Sequence, residues 1–259
     1  GTGIYSFTTN VQAIGGSSAL SIPNVTISIG TTNNGTLTVS TALAGASTLT
    51  NGATGILNFG GASITLTTLT ATAAGNLVNY NAGGAQTVKA TTYSNLTLSG
   101  SGLKTIGAVT VNGVLSMEGT ATASAAPTYG AAATLQYKGS AAQTTGSEFP
   151  ATFSGTGGVK IENANGVSLN GIRTIALASN LTIGSSVSNS IFNDAGFQLT
   201  CTGTLNLTSG TFILGSVYST GSINITFFAF ISIKFLEHAL TQSSHKLHSF
   251  DVDNSGTCW

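Results

Sequence analysis

The chain has 259 residues but only seven basic and seven acidic side chains, which cancel; charged residues make up 5% of it, against roughly 25% in ordinary soluble domains. That leaves no basic field to hold a phosphate backbone, so nucleic acid is excluded as an expected partner. At 41% apolar the chain is too hydrophobic for intrinsic disorder, and it has no run of about 20 apolar residues to span a bilayer as a helix; its most apolar stretch, Ile223 to Leu236, is shorter and holds Lys234.

Along the chain, small apolar groups alternate with Gly, Ser, Thr and Asn, the texture of many short strands and turns. Leu37, Leu57, Leu77, Leu96, Leu115 and Leu135 follow one another at a nearly even interval. Most have a second apolar residue two positions on, as in Leu37 with Val39, Leu57 with Phe59, Leu96 with Leu98, Leu115 with Met117 and Leu135 with Tyr137. Leu77 departs, with Asn79 at that position and Val78 and Tyr80 beside it. Apolar–polar alternation turns one side of each strand inward. Ile64 with Leu66, and Ile106, Val109 and Val111, mark further strands between the leucines, two or three per repeat. Later members are Phe153, Leu181 with Ile183, Leu205 with Leu207, and Ile223 with Ile225; irregular spacing over 160–205 predicts a wider coil there.

The leucines mark a repeat of about 20 residues, long enough for one turn of a β-helix and too short for a propeller blade. The predicted fold is therefore all-β: a right-handed parallel β-helix of about eleven coils stacked at about 4.8 Å. An antiparallel β-sandwich is the structural alternative, and it gives no reason for so even a leucine interval. A longer repeat lies on top of the first: YNAGGAQT at 80–87 recurs as YKGSAAQT at 137–144, three coils further on. The repeat region is assigned to residues 1–226. Residues 227–259 form an atypical tail, with Gly256 its only glycine and with all three histidines, read as a cap or as a frameshifted or truncated end. The chain begins at Gly1, which reads as a cut or processed end.

Three segments, YSNLTLSGSGLKTIGAVTVNGVLSMEG (93–119), QYKGSAAQTTGSEFPATFSGTGGVKIENANGVSLNG (136–171) and LTIGSSVSNSIFNDAGFQLTCTGTLNLTSGTF (181–212), carry a resemblance. They resemble the Gly/Ser/Thr/Asn-rich repeat regions of large secreted surface proteins of Bacteroidetes-type bacteria, over roughly residues 10–226. The resemblance implies an extracellular, cell-surface, adhesin-like or scaffold role, with surface glycans or other surface proteins as partners. It supplies no catalytic residues. Such proteins often end in a type-nine sorting domain, which is not recognisable here.

Chemistry is sparse. The acids of the repeat region are Glu118, Glu148, Glu162 and Asp194. General acid–base work needs two such groups within reach of one substrate. Glu118 falls three residues after its repeat leucine and Glu148 thirteen after its own, on different faces of a solenoid; Glu148 and Glu162 meet only if the coil is irregular. All four are read as solvated turn residues that resist edge-to-edge association. No histidine precedes His238 to serve as a base. His245, His248, Asp251, Asp253 and Cys258 can be drawn as a zinc cluster, but their spacing matches no closed site. Cys201 and Cys258 make no disulfide framework. GGAS (60–63) and SGSG (99–102) lack the Lys-Ser/Thr of a phosphate loop and read as tight turns. Asn51, Asn58, Asn112 and Asn206 read as turn or ladder residues.

Threonine is dense, as at Thr36 and Thr38 and at Thr65, Thr67, Thr68, Thr70 and Thr72. Stacked Thr rows on a flat sheet order water and bind ice or glycans. The Thr-x-Thr pieces do not recur at one phase of the leucine repeat, so threonine is read first as ordinary strand-surface chemistry. The expected function is a non-catalytic structural or adhesin-like surface module with no catalytic, cofactor or metal residues. Ice or glycan binding is the second reading, and a carbohydrate-active enzyme the third.

Overall fold

A computed structural model describes residues 3–214, 217–219, 223–225 and 230–233. Among these there is no helix, only turns and strands, most of them short and one, Thr36–Asn51, of 16 residues. Every strand pairing among them is parallel. The antiparallel sandwich is thereby excluded, and the fold is a β-solenoid.

One coil shows the path. Leu77–Tyr80 lies on a first face, Gln86–Thr87 on a second and Thr92–Tyr93 on a third; Asn95–Leu98 then returns to the first, one layer on. On the first face Leu37 lies beside Leu57, Leu57 beside Val78, Val78 beside Leu96, Leu96 beside Leu115, and Leu115 beside Leu135. The file continues through Val159, Leu181 and Leu205 to the backbone of Ile223, and it begins at Leu20, which makes ten steps. At about 4.8 Å per step the rod is roughly 50 Å long. Leu181, Leu205 and Ile223 sit where the sequence places them.

Two members of the sequence repeat are corrected. Val78, with Tyr80, faces inward in place of the half-buried Leu77. The period of two along a strand makes this one-residue shift decisive. Phe153 belongs to the third face, beside Ile175, and Val159 fills the first-face position after Leu135. The steps from Leu135 to Val159, from Val159 to Leu181 and from Leu181 to Leu205 are each longer than any step before them, which is the wider coil.

The core is a set of stacked files. Leu37, Leu57, Val78, Leu96, Leu115, Leu135, Val159 and Leu181 are fully buried. Aromatic residues stack between layers: Phe59 against Tyr80, centroids 5.8 Å apart and nearly perpendicular; Tyr129 against Phe153 at 5.0 Å; Phe192 against Phe212 at 5.3 Å. Each layer buries its apolar surface against its two neighbours, so stability is close to a sum of nearest-neighbour terms.

At the corners the backbone turns with its polar groups satisfied. Asn33 and Asn51, both fully buried, form a ladder in which Asn33 Nδ2 donates to Asn51 Oδ1 at 2.8 Å, and Asn51 Nδ2 donates to the carbonyls of Gly55 and Leu77. Asn58 joins a second ladder with Thr38 and Asn79. Gly45 adopts φ +137° where the coils press together; a Cβ there would lie 2.1 Å from the Ile27 carbonyl oxygen. GGAS and SGSG fall at the turn after the first face, and Gly100 within the second has φ +71°. The backbone of Phe230–Ile233 pairs with Thr211–Leu214 on the second face. The domain limit at 227 and the tail residues His238, His245, His248, Asp251, Asp253 and Cys258 lie outside the described residues.

Leu115→Ala, in a layer packed on both sides, is expected to cost about 2–5 kcal/mol. Urea unfolding measures it. A cost under about 1 kcal/mol would mean that the stacked layer closes over the cavity or is not packed as described.

Candidate functional site

The acids come first, because an active site on a solenoid would need them. Three of the four are not solvated turn residues: Glu148, Glu162 and Asp194 are each 1% exposed, and Glu118 is half-buried. Burial of a carboxylate requires donors, and each finds them locally. Glu162 takes the Ser185 hydroxyl, the hydroxyl and N–H of Ser186 (both 2.8 Å) and the Val187 N–H (2.7 Å). Burial pushes its pKa up, but these four bonds to the charged form prevail and hold it below the usual value. Asp194 Oδ1 accepts the Gly196 N–H at 2.9 Å. Glu148 Oε1 accepts the Tyr137 hydroxyl at 2.8 Å and the Gly146 N–H at 2.6 Å.

Glu148 and Glu162 are not brought together. Glu162 shares an open groove of about 390 Å³ with Glu118 and Lys138, while Glu148 lines a separate small cavity of about 110 Å³ with Tyr137 and Gln143. Glu118, Lys138 and Glu162 each sit three places past a first-face file position, on successive coils. With both oxygens committed and its pKa depressed, Glu162 is a poor proton donor, and Glu118 is held through the Ser116 hydroxyl at 2.9 Å. Glu148 Oε2 and Arg173 Nε are buried without a partner; Arg173 lies 5.5 Å above the Phe149 ring and hydrogen-bonds Asn170. No group of three His, Cys, Asp or Glu side chains able to hold a metal ion occurs among the described residues. No helix among them is long and apolar enough to cross a membrane.

The duplicated YNAGGAQT and YKGSAAQT segments fold alike. In each, the Gln turns inward and donates to the preceding coil: Gln86 Nε2 to the carbonyls of Phe59 (3.0 Å) and Gly61 (2.7 Å), Gln143 Nε2 to that of Met117 (2.9 Å). The following coil caps the segment differently in the two copies. Lys104 Nζ donates to Gln86 Oε1, Ala82 O and Gly84 O in the first copy. Asn163 Nδ2 donates to Gln143 Oε1 and Ala141 O in the second. Sequence reading found the duplication and missed the caps, because Lys104 and Asn163 lie outside the repeated words.

Buried phenols complete the polar interior. Tyr80 and Tyr93 hydroxyls are 3.1 Å apart; Tyr80 accepts the Lys89 N–H, and Tyr93 donates to the Lys89 carbonyl. Burial raises Tyr80 to about 12, against smaller lowering by its Tyr93 and Lys89 bonds. Burial and then the Tyr80 phenol push Tyr93 up; burial and then Glu148 push up Tyr129 and Tyr137.

On the outside, one file is regular in a way that the leucine phase does not reveal. On the third face Thr32 pairs with Thr50, Thr50 with Thr70, Thr92 with Thr110, and Thr110 with Thr128. The bridge between Ala71 and Tyr93 puts Thr70 in register with Thr92. A second stretch follows, Thr152 beside Thr174 beside Thr200, joined to the first by the Tyr129–Phe153 ring contact one residue along. All nine threonines are half-exposed or exposed. Among the described residues none of their hydroxyls hydrogen-bonds within the protein. The alternate file of the first face, running Thr38, Asn58, Asn79, Thr97, Ser116, Gln136 and Lys160, is mixed. The Thr-x-Thr pieces, expected not to recur at one phase of the leucine repeat, stack only as Thr48/Thr50 on Thr68/Thr70; the regular file is one of single threonines, which sequence reading did not weigh.

Compared with known proteins, the chain matches no family model, no curated protein and no solved structure.

Lys104 is fully buried, and burial lowers its pKa to about 8. Unfolded Lys titrates near 10.4 and unfolded Tyr near 10. Between pH about 8 and 10 the native state holds fewer protons at Lys104 than the unfolded chain, so Lys104 adds stability as pH rises, while the Cys201 thiol, pushed up by burial, works in the opposite direction. Above about 10 the buried tyrosines keep protons that the unfolded chain has lost, so stability falls. Chemical denaturation of wild type and Lys104→Met from pH 7 to 12 tests both signs: the stability difference between them should change in favour of the wild type from pH about 8 to 10, both should lose stability above about 10, and a difference that does not change with pH refutes the Lys104 part.

Proposed function

We propose that this chain is a non-catalytic structural, adhesin-like module of an extracellular bacterial surface protein, acting on surface glycans or other surface proteins. The observation that carries the reading is the stack of parallel coils, in register along the first face from Leu20 to Ile223. Such a stack makes a stiff rod from nearest-neighbour contacts alone. It suits a spacer or display element whose outer residues vary while the core files persist. The low charge and the Ser/Thr/Asn-rich exterior are in keeping with the surface-protein repeats that the sequence resembles. The non-catalytic part is supported by the carboxylates' commitments: Glu162, which shares the open groove with Glu118, has both oxygens held by donors of residues 185–187, and Glu118 is held by the Ser116 hydroxyl.

A second reading, in which an outer face binds ice or a glycan, is favoured by the threonine file of the third face.

The full chain, offered a panel of insoluble and soluble polysaccharides and whole bacterial cells, is expected to be retained by one or more of them without releasing sugar. Release of reducing or unsaturated ends that disappears in Glu118→Gln would replace this reading with a carbohydrate-active enzyme. Retention by none of the surfaces would remove the adhesive part.

A further inference from the structure

The third face presents one side chain at one spacing over six hydrogen-bonded coils, from Thr32 to Thr128. Its spacing is set by the strand separation of about 4.8 Å, so this stretch is about 24 Å long. We infer that this face binds ice, a deepening of the second reading above that depends on an outer face being the ligand site.

Periodicity is the first argument. A single small ligand gains nothing from an identical group repeated on coil after coil; a ligand that is itself a lattice gains from every repeat. Hexagonal ice repeats along one crystal axis at close to the strand separation. The second argument is preorganisation. Threonine is stiff at χ1, so on a hydrogen-bonded ladder each hydroxyl and methyl has few positions open to it. Aligning them therefore costs little on binding. Third, the chemistry matches water: each hydroxyl offers one donor and two acceptors, with no partner inside the protein to compete. Fourth, the surroundings are low and neutral. The residues two positions before Thr92, Thr110 and Thr128 are Ala90, Ala108 and Ala126, none of them buried. The charged residues beside the file are Arg173, whose guanidinium lies over Phe149, and Lys89, next to Ala90, whose Nζ donates to the Leu66 carbonyl. Glycan recognition would call for aromatic platforms on this face; the Tyr and Phe next to the file, Tyr93, Tyr129 and Phe153, pack into the interior.

The test is single-crystal ice growth in a nanolitre osmometer, using the full chain at sub-zero temperature. The wild type is expected to facet the crystal and to hold its growth within a measurable temperature gap. Thr110→Tyr, at the middle of the file, should lose most of that gap while keeping the wild-type circular dichroism. Gln136→Tyr, on the first face, should keep it. Thr92→Lys replaces Thr110→Tyr if the latter alters the dichroism. Ice growth unaffected by the wild type overturns the inference, as does equal loss from both tyrosine variants or a threonine-file dimer seen by sedimentation. Retention on polysaccharides or cells is scored separately, so an ice-negative chain that is still retained sinks this inference and leaves the surface-module reading standing.

Discussion

Parallel register between successive coils is the constraint on which the rest depends. Each strand takes its hydrogen bonds from the coil before and gives them to the coil after, so a residue's neighbours are set by position within the coil. A core file such as Leu96, Leu115 and Leu135 forms because like residues occupy like positions. The same constraint tolerates coils of different length: the step from Leu135 to Val159 is longer, and the first face stays in register across it while the ladders of the second and third faces break there.

Parallel stacking also creates a polar problem at each corner, where the chain leaves the ladder. Buried groups that face the coil before or after solve it here: the Asn33–Asn51 ladder, the inward Gln86 and Gln143, and the Lys104 and Asn163 caps. Glu148 and Glu162 belong to the same class. The Glu162 carboxylate is held by hydroxyl and N–H donors of residues 185–187, and one Glu148 oxygen by the Tyr137 hydroxyl and the Gly146 N–H. Buried polar networks of this kind are costly when incomplete and specific when complete, and they fix which coil follows which.

The exterior follows from the core. Because inward positions are in register, the positions between them are in register too, and any residue type repeated there becomes a surface array without further design. On the first face those positions are mixed, with Gln136 and Lys160 among Thr, Ser and Asn; on the third they are threonine from Thr32 to Thr128 and again from Thr152 to Thr200. Core residues there must be apolar for burial alone. Burial imposes no such uniformity on the outer file, so its regularity is the stronger functional signal.

Sequence periodicity by itself determined the all-β solenoid, the main core file and the three-coil duplication, because first-face coils from Leu37 to Leu135 are nearly equal in length and burial demands apolar residues at fixed intervals. It misplaced Leu77 and Phe153, where a one-residue choice of strand face or a longer coil breaks the count. Tertiary structure alone decided that Glu148, Glu162 and Asp194 are buried, since turn donors supplied by residues close in space make that possible. It also decided the threonine file. From Thr32 to Thr128 its members recur at uneven intervals along the chain, out of phase with the leucines, and only hydrogen-bonded pairing between coils brings them into one row.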